Sequence, residues 1–165
     1  MTQIFFTGSS GQGKTTLANL LSKRLDLPVV DMVSRNSPHP QGTDENQQYL
    51  SNKISFLCTN TPGIHCRTPL DVAAYTHALK LYSPMDTQHV KSFLASWPVV
   101  IYFPMVLSIE NDGFRPTDVE MNKCVDKWIR SYLNDSGVSF LTLKKESPLD
   151  RVESVVEFLY EEGVL

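Results

Sequence analysis

Gly8-Ser9-Ser10-Gly11-Gln12-Gly13-Lys14-Thr15 is the stretch on which the reading of this 165-residue chain turns. It matches G-x-x-x-x-G-K-[ST] at every fixed position. Before it stands Ile4-Phe5-Phe6-Thr7, a short run of β-branched and aromatic residues that reads as a buried strand. After it, Lys14 to Leu25 carries Leu17, Leu20, Leu21 and Leu25 at helical spacing. Strand, glycine turn and helix in that order give the motif its physical meaning. The glycines let the backbone wrap a phosphate with N–H groups aimed inward, and the helix N-terminus adds the positive end of its dipole. Lys14 reaches the β- and γ-phosphates, the Thr15 hydroxyl ligates Mg²⁺, and Thr16 touches the α-phosphate. Gly8, Ser9, Ser10, Gly11, Gln12, Gly13, Lys14, Thr15 and Thr16 are therefore expected to bind a nucleoside triphosphate, with Thr15 on the metal.

Outward from the loop, strands and helices alternate. Leu27 to Val30 reads as a second strand, Asp44 to Leu57 as a helix and Ile64 to Cys66 as a third strand. Thr68 and Pro69 open a helix to Leu81, and another runs from Thr87 to Ala95. Trp97 to Phe103 is the clearest buried strand. Thr117 and Glu120 form a capping-box pattern that starts a helix to Leu133. Val138 to Leu143 and Pro148 to Glu162 supply a last strand and a last helix. This pattern predicts an α/β protein with the three-layer P-loop NTPase fold: a five-stranded parallel sheet with helices on both faces. Neither a linker nor a repeat interrupts it, so residues 1–165 are expected to form a single domain.

Composition narrows the class. Hydrophobic residues make up 41% and charged residues 20%, as in ordinary globular proteins, which excludes disorder and a disulfide scaffold. Lys+Arg number 15 against 18 Asp+Glu, a net charge of −3, so the chain lacks the basic excess of a dedicated nucleic-acid binder. The three cysteines, Cys58, Cys66 and Cys124, form no C-x-x-C pair and read as reduced thiols. No apolar run nears the roughly 18 residues of a membrane span. Met1 to Phe6 lacks the basic start of a signal peptide. A cytoplasmic protein is expected, in the host cytoplasm if the source is viral.

A phosphate loop does not say what is done with the nucleotide. Asp31 ends the second strand, expected beside the first, where a carboxylate takes the proton of an attacking hydroxyl. Arg35, four residues on, is placed to hold an acceptor phosphate or a γ-oxygen. The third strand ends at Cys66, where a Mg²⁺-orienting acid would ordinarily stand, and a thiol is a poor ligand for that ion. Either the nearest acid, Asp71, substitutes there, through water, or Thr15 and the substrate phosphates suffice. Arg67 lies at a helix N-terminus beside the site, where an anion would sit. His65 reads as a packed strand residue. Ser108 to Pro116 is long for a connection and suggests a lid over about 106–116, from which Arg115 neutralises transition-state charge.

Together these residues resemble the small P-loop kinases of the thymidylate-kinase and nicotinamide-riboside-kinase kind, including compact phage nucleotide kinases. The resemblance rests on Gly8–Thr15, on Asp31 with Arg35, on the Arg67-Thr68-Pro69-Leu70-Asp71-Val72-Ala73-Ala74-Tyr75 stretch, and on Asp112-Gly113-Phe114-Arg115-Pro116. Cys66 departs from the family's usual Asp. The resemblance implies ATP and Mg²⁺, with Lys14, Asp31, Arg67 and Arg115 catalytic and Arg35 and Asp71 at the acceptor. It implies a nucleoside- or nucleotide-type acceptor, either free or the hydroxymethyl group of 5-hydroxymethyluracil in phage DNA. A P-loop ATPase or GTPase module driving a partner is the alternative.

Overall fold

Residues 1–31, 33–106 and 118–165 are described by the computed structural model. The expected lid, with Asp112, Phe114 and Arg115, and the expected cap Thr117 lie outside the described residues. Strands β1 (Gln3–Gly8), β2 (Val29–Val30), β3 (Gly63–His65), β4 (Val100–Phe103) and β5 (Phe140–Thr142) form one parallel sheet in the order β2-β3-β1-β4-β5. Six helices accompany them: α1 (Lys14–Leu25), α2 (Asp44–Asn60), α3 (Pro69–Ala78), α4 (Asp86–Ala95), α5 (Val119–Ser136) and α6 (Pro148–Glu161). This is the expected architecture. No described helix is long and apolar enough to cross a membrane.

A parallel sheet covered on both faces explains why its strands read as continuous apolar runs. Alternate residues of β1 and β4 enter two different cores. Phe5, Val100 and Tyr102 pack with α2, α3, α4 and α5. Ile4, Phe6, Ile101 and Phe103 pack with α1 and α6 on the other face. Side-chain oxygens start several helices: Thr43 accepts from the Asn46 N–H, Thr68 from Leu70, and Ser147 from Asp150.

The structure corrects three expectations. β2 pairs with β3, not β1. Gly63 makes that insertion possible, because with φ +128° a Cβ there would stand 2.4 Å from the Pro28 carbonyl oxygen. The strand drawn from Trp97 begins only at Val100, and Trp97 is 70% exposed in the left-handed region, φ +52°. A run of apolar letters does not distinguish the turn leading into a strand from the strand itself. Helix α5 is capped by Asp118, whose carboxylate accepts from the Met121 N–H at 3.0 Å.

Candidate functional site

The phosphate loop begins where β1 must stop being an ordinary strand. Gly8 has φ +152°, and a Cβ there would meet the Phe103 carbonyl oxygen at 2.4 Å, so only glycine lets β1 lie beside β4 at this point. Gly11 (φ +76°) and Gly13 (φ +91°) turn the chain through the left-handed region. Gly13 caps α1 without a side-chain hydrogen bond, which leaves the first-turn N–H groups to a ligand. Inside the loop, the Lys14 ammonium donates to the Gly8 oxygen at 2.6 Å and the Ser9 oxygen at 2.7 Å. Burial pulls its pKa down to about 8, against the opposing pull of Asp71. A buried cation held by loop carbonyls alone suits the negative oxygens of a polyphosphate. Ser9, Ser10 and Gln12 are buried, whereas Thr15 and Thr16 present their hydroxyls outward.

Thr15 Oγ1 donates to Asp31 Oδ2 at 2.7 Å. Asp31 thus reaches the loop although β3 intervenes between its strand and β1. A hydroxyl and a carboxylate at the helix start are hard oxygen donors of the kind Mg²⁺ takes. Cys66 does not join them. It is 2% exposed in the α1/α6 core, and its thiol is pushed up to about 12 by burial, with Asp31 adding to the effect. Among the described residues no group of three or more His, Cys, Asp or Glu is placed to hold a metal.

Asp71 requires a correction. It is fully buried, and both its oxygens are engaged within the protein. Oδ1 accepts from the Gly8 N–H at 2.9 Å. Oδ2 accepts from the Thr68 N–H at 2.7 Å and from the hydroxyls of Thr68 and Thr7 at 2.8 and 3.0 Å. The acid closes a capping box at the start of α3 and ties that helix to the first residue of the phosphate loop. This geometry anchors the loop and leaves no oxygen facing an acceptor.

Beside the loop lies a cavity of about 300 Å³ between α2, α3 and α5. Leu50, Ile54, Val72, Leu79 and Met121 supply its apolar wall, and Ser10, Arg67 and Tyr75 its phosphate-loop side. The Arg67 guanidinium lies 5.9 Å from the centre of the Tyr75 ring. Gln47 is fixed by donating to Thr76 Oγ1 at 2.9 Å. Arg35 sits on the exposed turn next to Ser34, which lines the same cavity. His65 packs against Phe5 and bonds the Thr61 oxygen through Nε2 at 2.9 Å, as a strand residue should.

Sequence reasoning missed three supports. The Tyr75 hydroxyl accepts from the Ser10 N–H at 2.9 Å, shares a hydrogen bond with Ser10 Oγ at 2.7 Å, and donates to Asn122 Oδ1 at 3.1 Å. The Gln12 side chain is 1% exposed and accepts from the Val106 N–H at 2.8 Å. Arg151, 4% exposed, donates to the Gln12 carbonyl at 2.9 Å and to that of Lys144 at 3.0 Å. A lone arginine among the acids of the last helix was the available signal for Arg151.

A sequence family described as an AAA domain matches residues 3–151. The chain belongs to this AAA-domain family. No curated protein matches it. Solved structures like it include deoxyadenosine kinase from M. mycoides with dCMP and a flexible dCDP bound, at TM-score 0.70 and 15% identity over 97% of this chain and 99% of that one. Thymidylate kinase from Candida albicans is similar at TM-score 0.70 and 13% identity, over 98% and 92% of the two chains. Shikimate kinase from Acinetobacter baumannii, in complex with shikimate, gives TM-score 0.59 and 12% identity over 98% and 94%. At such identities the shared property is the fold, so this AAA-domain chain has the architecture of a P-loop kinase.

Proposed function

We propose that this AAA-domain chain is an ATP-dependent phosphotransferase that moves the γ-phosphate onto a nucleoside- or nucleotide-type acceptor. The observation that carries the reading is the cavity of about 300 Å³ that opens on the phosphate loop through Ser10, Arg67 and Tyr75. An enzyme that only hydrolyses ATP has no need of a half-apolar second site at that place. The kinases of similar fold bind dCMP and dCDP in one case and shikimate in another, which supports a small organic acceptor here.

In this reading the acceptor hydroxyl oxygen forms a bond to the γ-phosphorus as the bond from that phosphorus to the β-phosphate bridging oxygen breaks, and ADP leaves. Asp31 takes the hydroxyl proton. Lys14 and Arg67 neutralise charge on the phosphoryl oxygens, Arg35 holds the acceptor's polar end, and Arg115 belongs to the same set by its sequence context. Thr15 would hold Mg²⁺, which would supply charge neutralisation on the phosphates. The acceptor is a free nucleoside or nucleotide, or 5-hydroxymethyluracil within phage DNA, as the sequence resemblance suggests.

The AAA-domain match favours one second reading, ATP hydrolysis coupled to a partner. ADP release measured with nucleosides, nucleoside monophosphates, nicotinamide riboside and hydroxymethyluracil-containing DNA separates the two. We expect one acceptor class to accelerate release, and Leu79→Trp, which fills the cavity, to remove that acceleration while ATP still binds. Release that no acceptor changes supports the hydrolytic reading.

A further inference from the structure

Arg151 is a cation placed where physical chemistry disfavours one. It is the fourth residue of α6, near the positive end of that helix's dipole, and it is 4% exposed. Asp150, Glu153, Glu157 and Glu161 stand on the same helix, yet the ion pairs among the described residues are Lys123–Glu120 and Arg130–Asp126. Glu146 opposes the effect of burial on the guanidinium without forming an ion pair with it. Nε donates to the Lys144 oxygen at 3.0 Å and Nη1 to the Gln12 oxygen at 2.9 Å, while the buried Nη2 has no hydrogen-bond partner. The guanidinium carbon lies 5.8 Å from the centre of the Phe103 ring. Two carbonyls and one ring compensate a desolvated charge only in part.

The bond to Gln12 gives that charge a use. A trans peptide is planar, and its C=O and N–H point in opposite directions. Arg151 holds the Gln12 oxygen toward α6, so the Gly13 N–H of the same peptide is turned the other way. Gly13 is the N-cap of α1 and has no side-chain cap. A cation bonded to the carbonyl also polarises the peptide and strengthens its N–H as a donor. We propose that Arg151 is a positioning residue for polyphosphate, which aims and polarises the Gly13 N–H through the Gln12–Gly13 peptide and whose own buried charge the arriving phosphates offset. The inference rests on the reading that a nucleotide occupies the phosphate loop. Arg151 touches no reacting atom and acts through a peptide group. The coupling is reciprocal: whatever part of the cost of the buried charge phosphate relieves appears as phosphate affinity.

Calorimetric titration of the full chain with the non-hydrolysable analogue AMP-PNP and with inorganic tripolyphosphate, each with Mg²⁺, tests the proposal, together with the NMR shift of the Gly13 amide. Arg151→Met should weaken both ligands by about tenfold, the size of a typical coupling between sites, and should move the Gly13 amide. Its ligand-free Tm should stay within about 3 °C of wild type, because lost hydrogen bonds and a relieved buried charge oppose each other. Arg151→Gln, neutral but still a donor, should bind as weakly as Arg151→Met. Arg151→Lys keeps the charge and a donor for the Gln12 carbonyl, and it should recover most of the affinity. Should Arg151→Met fail to fold, the contrast between the Gln and Lys variants decides alone. Wild-type affinity in Arg151→Gln, with or without a lowered Tm, would make Arg151 merely structural and overturn the proposal. A loss confined to AMP-PNP would assign Arg151 to the adenosine side and overturn it as well. Wild-type protein that binds neither ligand would overturn it together with the functional reading.

Discussion

Lys14 and Asp71 divide the work of the phosphate loop between charge and shape. Lys14→Ala should cut phosphoryl transfer by roughly 10²–10³ or more, the loss typical of a single electrostatic contact to a reacting centre, with thermal stability little changed. Its pKa, lowered to about 8 from an ordinary 10.5, also sets two opposite pH trends. Between those values the unfolded chain holds the proton and the folded chain does not, so the ligand-free fold gains stability as pH rises through that window. Nucleotide affinity should fall as pH rises past about 8, because the charged form that phosphates require is lost. Denaturant melts and nucleotide titrations at pH 7, 8 and 9 check both signs. Asp71→Asn behaves differently: the amide cannot accept all four hydrogen bonds, so a loss of about 2–4 kcal/mol is expected in urea melts. The turn of the loop and the start of α1 after it were legible in the sequence, since the glycine spacing is what lets the chain turn there. The role of Asp71 was not, because facing an acceptor and facing the Gly8 N–H differ only by side-chain direction.

At the scale of elements, the glycines at strand ends control how strands meet. Gly8→Ala would drive a Cβ into the Phe103 carbonyl oxygen at 2.4 Å from a φ of +152°. Separation of β1 from β4 or distortion of the loop must follow, at a cost of about 2 kcal/mol or more by analogy with strained and overpacked sites. A lowered Tm together with lost nucleotide binding is the expected result; a variant that binds as well as wild type would show the close approach to be unimportant. Helix starts could be read well: α1 begins and ends where leucine spacing and Gly13 place it, and Thr68 caps α3 as its sequence suggested. The order of strands could not. Periodicity reports which face of a strand is buried and is silent on its neighbour, so the place of β3 between β2 and β1 emerged only from the Gly63–Pro28 approach. The bond from Gln12 to Val106 spans 94 positions, and no local pattern announces a contact at that separation.

For the whole molecule, the net charge of −3 is unevenly spread, with one Arg and five acids in residues 148–165. A DNA acceptor would have to approach away from α6, and its kcat/KM should drop steeply between about 50 and 200 mM salt as condensed counterions are released. A free nucleoside or nucleotide held in the cavity should show a shallow dependence, because few charges are screened there. Asp31→Asn should lower the single-turnover rate by about 10²–10⁴ with little effect on ATP binding if this carboxylate is the base; weakened ATP binding at an unchanged rate would make it a metal-side group instead. The central claim is that the γ-phosphate ends on an organic acceptor. Following the label of γ-³²P-ATP in the wild-type protein with each acceptor class present tests this most directly. Label recovered covalently on one class of acceptor, and lost in Lys14→Ala, is the predicted result; label recovered only as inorganic phosphate with every acceptor would contradict it.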